Sequence, residues 1–114
     1  MKIAISIKGD SLESALDSHF GRAAKFLIID PQTRAFTVHE NAQNAEAVQG
    51  AGIQAAEAVI RWGAEAVITG QTGPKAVRAL KAGGVRIFLT NGLATAAEAL
   101  AAWEKGALSE ELGA

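Results

Sequence analysis

The sequence predicts an α/β domain of three layers, α/β/α, in which helices cover both faces of one mixed sheet. Three observations carry that expectation. Segments with strand patterning crowd the first forty residues, at 2–7, 26–29 and 35–39, and the remainder alternates helix and strand, for an overall order β-β-β-α-β-α-β-α. An antiparallel meander followed by right-handed βαβ crossovers leaves the helices no place but the two faces of the sheet. The chain has 114 residues, 49% of them hydrophobic and 20% charged, which suits one packed core. Area scaling gives about 5,900 Å² of folded surface against about 17,000 Å² unfolded, so that about 65% is buried without disulfides or metals.

Each element has its own signal. Lys2-Ile3-Ala4-Ile5-Ser6-Ile7 alternates with apolar residues at 3, 5 and 7, and Gly9-Asp10 closes it. Residues 10–24 follow neither period, although Leu12, Leu16 and Phe20 leave room for one helical turn. A loop of that length is more often functional than idle. Phe26-Leu27-Ile28-Ile29 is a continuous apolar run, as in a strand buried on both faces, and Asp30 to Arg34 turns the chain into the alternating Ala35–His39. Residues 41–49, rich in Asn, Gln and Ala, predict a connecting loop. Gly50-Ala51-Gly52 opens a helix with Ile53, Ala56, Val59 and Ile60 on its inner face and Gln54, Glu57 and Arg61 outside, stopped by Gly63. Glu65–Thr69 is a short strand. Pro74 begins a second helix, which buries Ala76, Val77 and Leu80, exposes Lys75, Arg78 and Lys81, and ends at Gly83-Gly84. Val85–Leu89 is the last strand. Thr95-Ala96-Ala97-Glu98 has the form of a capping box and opens a third helix that carries Leu100 and Trp103. The tail from 107 to 114 reads as frayed, and the whole of 1–114 as a single domain. The first strand then lies in the middle of a five-stranded mixed sheet of order 3-2-1-4-5, strand 2 antiparallel, which is the ribonuclease H-like motif.

Composition narrows the function. A formal charge of -1 removes the basic footprint of a nucleic-acid binder. No apolar run approaches the length of a membrane span and no leader opens the chain, so the expectation is a cytoplasmic protein with no membrane partner. The absence of cysteine excludes disulfides, zinc ribbons, thiolate catalysis and all-cysteine iron–sulfur ligation.

The topology sends the loops at 9–24, 40–52, 69–74 and 89–95 to one edge of the sheet, outside the carboxyl ends of its parallel strands, where open α/β sheets bind ligands. That edge collects His19, Gly21, Arg22, His39, Asn41, Gly50, Gly52, Gly70, Gln71, Gly73 and Asn91. In His19-Phe20-Gly21-Arg22 an imidazole and a guanidinium flank a glycine, a pattern able to bind a metal centre and neutralise an anion. The plainer reading has Phe20 anchoring the loop, His19 solvated and Arg22 paired with a carboxylate. Gly50-Ala51-Gly52-Ile53-Gln54-Ala55 spells GxGxxA at a helix start, a place for an anion or for close helix–sheet packing. It lacks the strand leading directly into the glycines and the later acidic residue of a dinucleotide fold, so no nucleotide motif is present. Gly70-Gln71-Thr72-Gly73-Pro74-Lys75 is too short for a phosphate loop, and Ala76 stands where that loop has a hydroxyl. The first strand carries no acidic residue, which speaks against a two-metal nuclease. Ser18 beside His19 has no organised base and is no triad. His39, at the end of a half-exposed strand, stands second to His19 as a metal ligand, and Trp62 and Trp103 read as packing residues. No catalytic residue emerges.

Four segments in order carry a resemblance: His19-Phe20-Gly21-Arg22-Ala23 before Phe26-Leu27-Ile28; Gly50-Ala51-Gly52-Ile53-Gln54-Ala55-Ala56; Val67-Ile68-Thr69-Gly70-Gln71-Thr72-Gly73-Pro74; and Ala79-Leu80-Lys81-Ala82-Gly83-Gly84-Val85. Together they resemble the dinitrogenase iron-molybdenum cofactor biosynthesis family, which includes NifX, NafY and the C-terminal domain of NifB, over Met1 to about Gly106. The resemblance implies a ribonuclease H-like fold and a non-enzymatic carrier. Its cargo would be an iron-molybdenum cofactor or an iron-sulfur cluster precursor, bound transiently and exchanged with a donor or acceptor protein. It implies a cofactor-binding edge of His19, Gly21, Arg22, Gly50, Gly52, Gly70, Gln71, Gly73 and Asn91, with His19 the best side-chain ligand in a chain without thiolates. Two other expectations stay open from the residues: a binding module for a small anion such as a nucleotide or organic phosphate, and a protein–protein adaptor.

Overall fold

The computed structural model of this chain describes residues 1–41 and 50–112. Its strands are β1 (Lys2–Ile7), β2 (Lys25–Ile29), β3 (Phe36–Glu40), β4 (Ala64–Thr69), β5 (Arg86–Leu89) and β6 (Ser109–Glu110). The helices described are α1 (Ala51–Arg61), α2 (Pro74–Ala82) and α3 (Ala96–Glu104). The sheet runs β3-β2-β1-β4-β5-β6. β1 pairs antiparallel with β2 and parallel with β4, and β4 pairs parallel with β5. The expected order 3-2-1-4-5 and the reversed second strand are present. The loop expected from 41 to 49 lies, beyond Asn41, outside the described residues.

Two expectations about the path of the chain need correction. The sheet has six strands and not five, because the tail does not fray: Leu89 pairs with Ser109 and Phe88 with Glu110. The Glu111 N–H donates to the Ile87 carbonyl at 2.8 Å, and the Arg86 guanidinium grips the Glu110 carboxylate at 2.7 and 3.0 Å. A two-residue strand offers no periodicity to read, so its only signature was an Arg–Glu pair 24 residues apart. The other correction concerns residues 10–24, which form no helix and only isolated turns, closed by the Ser14 N–H on the Ser11 carbonyl at 3.1 Å and the Ala23 N–H on the Phe20 carbonyl at 3.3 Å. They lie across the edge through single bridges, Ile7 to Leu16, Ala15 to Thr95 and His19 to Gln71. Leu12 and Leu16 pack beside α3.

The alternation in β1 is one of size, not of burial. Ile3, Ile5 and Ile7 face the layer containing α3, with Leu27, Ile29, Ala66, Ile68, Ala99 and Leu100. Ala4 and Ser6 point the other way and are equally buried, opposite α1 and α2. Small residues on that face let the helices approach closely. The same logic rotates α1 from its expected face. Its buried stripe is Ala51, Ala55, Ala56, Ala58 and Val59, while Ile53 and Ile60 are left 37% and 36% exposed. Alanine allows a nearer helix–sheet approach than isoleucine, and Ile60 instead lies over Gly83 at the end of α2.

The Arg86–Glu110 pair lies at the surface, with Arg86 exposed and Glu110 half-buried, so it contributes little to global stability, but it holds the tail strand. The Arg86 guanidinium, chiefly by its hydrogen bond, keeps the Glu110 carboxyl below its ordinary value. A carboxylate depressed in the folded state contributes above its unfolded value and loses that contribution as pH falls through the folded one. Arg86→Ala is therefore expected to lower the hydrogen-exchange protection of the Glu111 amide while leaving the melting temperature nearly unchanged. In the parent chain the same protection factor should fall on acidification through the carboxylate range. An unaltered Glu111 protection factor in the variant would show that the pair does not anchor the strand.

Candidate functional site

The site is built around Asp17, which is 8% exposed and ties the long first loop to the sheet. Its N–H donates to the Ser6 carbonyl at 2.9 Å, and the Ser6 hydroxyl donates back to the Asp17 carbonyl at 2.7 Å. That hydroxyl also lies 2.8 Å from Thr69 Oγ1, so β1, β4 and the loop meet in one buried polar knot. The Asp17 carboxylate accepts from the His19 N–H through Oδ1 and the Ala24 N–H through Oδ2, both at 3.1 Å. These bonds curl residues 17–24 into a closed loop. Asn41, also buried, clamps it from the far side, its side-chain amide donating to the Gly21 carbonyl at 3.1 Å and the Ala23 carbonyl at 2.9 Å. Phe20 inserts into the core against Phe26, with ring centroids 5.3 Å apart.

Two glycine contacts then set how near the loop comes to its neighbours. A Cβ at Gly21 would stand 2.8 Å from the Gly52 nitrogen and 2.9 Å from its Cα, and one at Gly70 would stand 2.6 Å from the Ser18 carbonyl oxygen. Real Cβ atoms do not approach main chain so closely, so the loop, the start of α1 and the end of β4 touch backbone to backbone. The Phe20 N–H donating to the Gln71 carbonyl at 3.0 Å seals the second contact.

The result is an open cavity of about 680 Å³ at the carboxyl edge, walled by His19, Gly21, Arg22, Gly50, Gly52, Gly70, Gln71 and Gly73, all anticipated from the sequence. Phe20, Ala51, Thr72, Leu89 and Glu111 complete it. Phe20, Ala51 and Thr72 lie inside the sequence motifs His19–Arg22, Gly50–Ala55 and Gly70–Pro74. Glu111 follows β6 directly and has no counterpart in the sequence expectation. Two expected residues are elsewhere. His39 stacks its ring on Trp62 at 4.2 Å between centroids, with Thr37 Oγ1 3.1 Å from Nε2, and does not line the cavity. Asn91, at φ 54, lines a smaller hollow on the other side of Gly70 and Gln71.

The electrostatics are those of two helix starts. α1 begins at Gly50 and α2 at Gly73, neither with a side-chain cap or an acidic residue in its first turn. Their first-turn N–H groups and positive dipole ends are directed to the cavity. α3 starts at the same edge but is satisfied by its own chain: the Thr95 hydroxyl accepts from Glu98 N–H at 3.2 Å, and the Glu98 carboxylate accepts from Thr95 N–H at 3.2 Å. One more group lacks a partner. The Thr72 hydroxyl oxygen is shielded from solvent and makes no hydrogen bond among the described residues. No group of three or more His, Cys, Asp or Glu able to hold a metal ion occurs among them. No described helix is long and apolar enough to cross a membrane.

The family model described as dinitrogenase iron-molybdenum cofactor matches residues 1–106. A curated relative, an uncharacterised protein of Methanocaldococcus jannaschii, is 30% identical over 93 residues, covering 80% of this chain and 75% of its own length. Among solved structures, the apo form of the orange protein from Desulfovibrio gigas superposes with a TM-score of 0.94 at 33% identity, over 98% of this chain and 93% of that one. The NMR structure of a Thermotoga protein superposes at 0.81 and 32% identity, over 96% and 91% of the two chains.

If main-chain contact sets the cavity, Gly21→Ala and Gly70→Ala should each destabilise the fold by about 1–3 kcal/mol, the usual range for overpacking. Gly73→Ala, whose Cβ would meet nothing within 4 Å, should cost less, through the poorer cap alone. Urea unfolding of the three variants checks the ranking. Equal stability of Gly70→Ala and Gly73→Ala would contradict the close approach.

Proposed function

This chain belongs to the dinitrogenase iron-molybdenum cofactor family, and from that premise we propose that it is a carrier, with no chemical step of its own, for an iron-sulfur or iron-molybdenum-type cluster. The observation that carries this reading is the pairing of two uncapped helix starts on one main-chain-walled cavity. An anionic cluster offers negative charge where the protein offers N–H groups and positive dipole ends. The unsatisfied Thr72 hydroxyl gives it one further donor, and the Arg22 side chain lies in the same wall.

Direct ligation rests on His19. Its backbone is fixed by Asp17, its side chain is exposed at the cavity, and imidazole binds iron where no thiolate exists. One ligand plus hydrogen bonds makes an attachment that a partner can undo. Glu111 sets a negative charge in the same wall and works against tight retention of an anion. The nitrogenase link and the metal content of the cargo belong to this proposal and rest on the family alone.

The test is anaerobic titration of the purified chain with an iron-molybdenum cofactor preparation and, separately, with an iron-sulfur cluster precursor. Visible absorbance and the iron and molybdenum retained after gel filtration are the readouts. Stoichiometric retention of one cargo is expected, weakened about tenfold or more by His19→Ala, a difference of about 1.4 kcal/mol, and more modestly by Thr72→Val. Retention of neither cluster overturns the carrier reading. If inorganic phosphate or a nucleotide is bound instead, with the same loss in Thr72→Val, the cavity is a small-anion site.

A further inference from the structure

We propose that the outer face of α2, with the groove between it and the tail strand, docks a partner protein through a short segment that combines apolar side chains with carboxylates. The groove adjoins the cavity at the carboxyl edge and encloses about 570 Å³. Pro74, Val77 and Leu112 give it an apolar floor, and Arg78 and Lys81 stand on its rim. Leu112 is 73% exposed, the most exposed large hydrophobic side chain among the described residues.

Charge decides the kind of partner. The whole chain has a formal charge of -1, yet α2 carries Lys75, Arg78 and Lys81 and no acidic residue. The three cations recur at intervals of three on its exposed face. None of them has a carboxylate within 4 Å among the described residues, since the ion pairs there join Met1 to Glu65, Arg34 to Glu104 and Arg86 to Glu110. Lys81 feels Glu110 at longer range, and Glu111 is the one carboxylate lining the groove. The cations therefore outnumber the acids, and carboxylates on the partner complete the balance. A small anion alone would leave the apolar floor uncovered, and three cations in one line are too few to hold a nucleic-acid backbone. An acidic segment with apolar anchors satisfies both halves of the groove.

Thr72 and Glu111 line both the groove and the cavity. A partner seated in the groove thus touches two residues of the cavity wall. The inference stands on the groove and the charges of α2, whatever the cavity carries.

The experiment selects a library of random short peptides, displayed on phage, against the immobilised full chain, with counter-selection on Arg78→Glu/Lys81→Glu. All these side chains are exposed, so folding should be unchanged, as thermal melts will check. Enriched peptides are expected to pair Leu, Ile, Val or Phe with Asp or Glu. Their amide shift changes should centre on Thr72–Lys81 and Glu111–Leu112. Affinity should fall about tenfold in the charge-reversed variant, fall less in Leu112→Ser, and weaken with added salt. The proposal is overturned if no peptide binds saturably, if enriched peptides lack carboxylates, or if they bind the charge-reversed variant equally. It is also overturned by shift changes centred elsewhere, or if vesicles of phosphatidylserine bind α2 more tightly than the peptides do.

Discussion

The constraint on which the site depends is the approach of main chain to main chain at the carboxyl edge. Gly21 lies on Gly52 and Gly70 lies on Ser18 at distances that leave no room for a Cβ. Asp17 holds its loop in that position with both carboxylate oxygens, and the Ser6 hydroxyl ties the loop to β1 and β4. The buried polar groups of this knot satisfy one another, as a low-dielectric interior requires. Packing follows from the same demand. A strand that presents Ala4 and Ser6 toward α1, and a helix that presents a stripe of alanines back, bring α1 near enough for Gly52 to meet both Gly21 and Ala76. Isoleucine in place of either set would hold the layers apart and open the edge.

A cavity walled by backbone differs chemically from one walled by side chains. Its donors are amides, which neither titrate nor swing away, and their orientation is set by the secondary structure. Three of the described helices begin at this edge, and of these only α3 satisfies its own start, through Thr95 and Glu98. At α1 and α2 glycine takes the cap position, so the first-turn N–H groups find no side chain of their own helix. The contrast within one edge indicates that the open starts are a local property of the cavity walls and not a general feature of the chain.

Much of this was legible in the sequence because the relevant signals are local. The 3-2-1-4-5 part of the sheet follows from strand patterning and crossover handedness, and the clustering of His19, Gly50, Gly70 and Gln71 follows from topology alone. What escaped is what depends on pairs distant in sequence. The tail strand is two residues long and is anchored by Arg86, which no periodicity links to Glu110. The buried face of α1 keeps the expected Ala56 and Val59 but exchanges Ile53 and Ile60 for alanines, because hydrophobicity favours isoleucine whereas the packing distance to sheet and α2 favours alanine. His39 was grouped with the site because it ends a strand at the right edge. Its ring is instead stacked on Trp62, a contact between the end of β3 and the end of α1 that topology does not specify.

The role of Asp17 bears on what the edge can do. An aspartate two residues before an exposed histidine invites comparison with the carboxylate that orients a catalytic imidazole. Here both carboxylate oxygens are engaged by main-chain N–H groups, one of them that of His19 itself, so Asp17 positions the backbone of the histidine and not its ring. A general base must keep one nitrogen aimed at the proton it removes, and Asp17 does not supply that aim to His19. The imidazole is better suited to ligation, where the incoming metal orients the ring. The proposed carrier role starts from this contrast between a loop whose backbone is fixed by Asp17 and Asn41 and an exposed His19 side chain at the cavity.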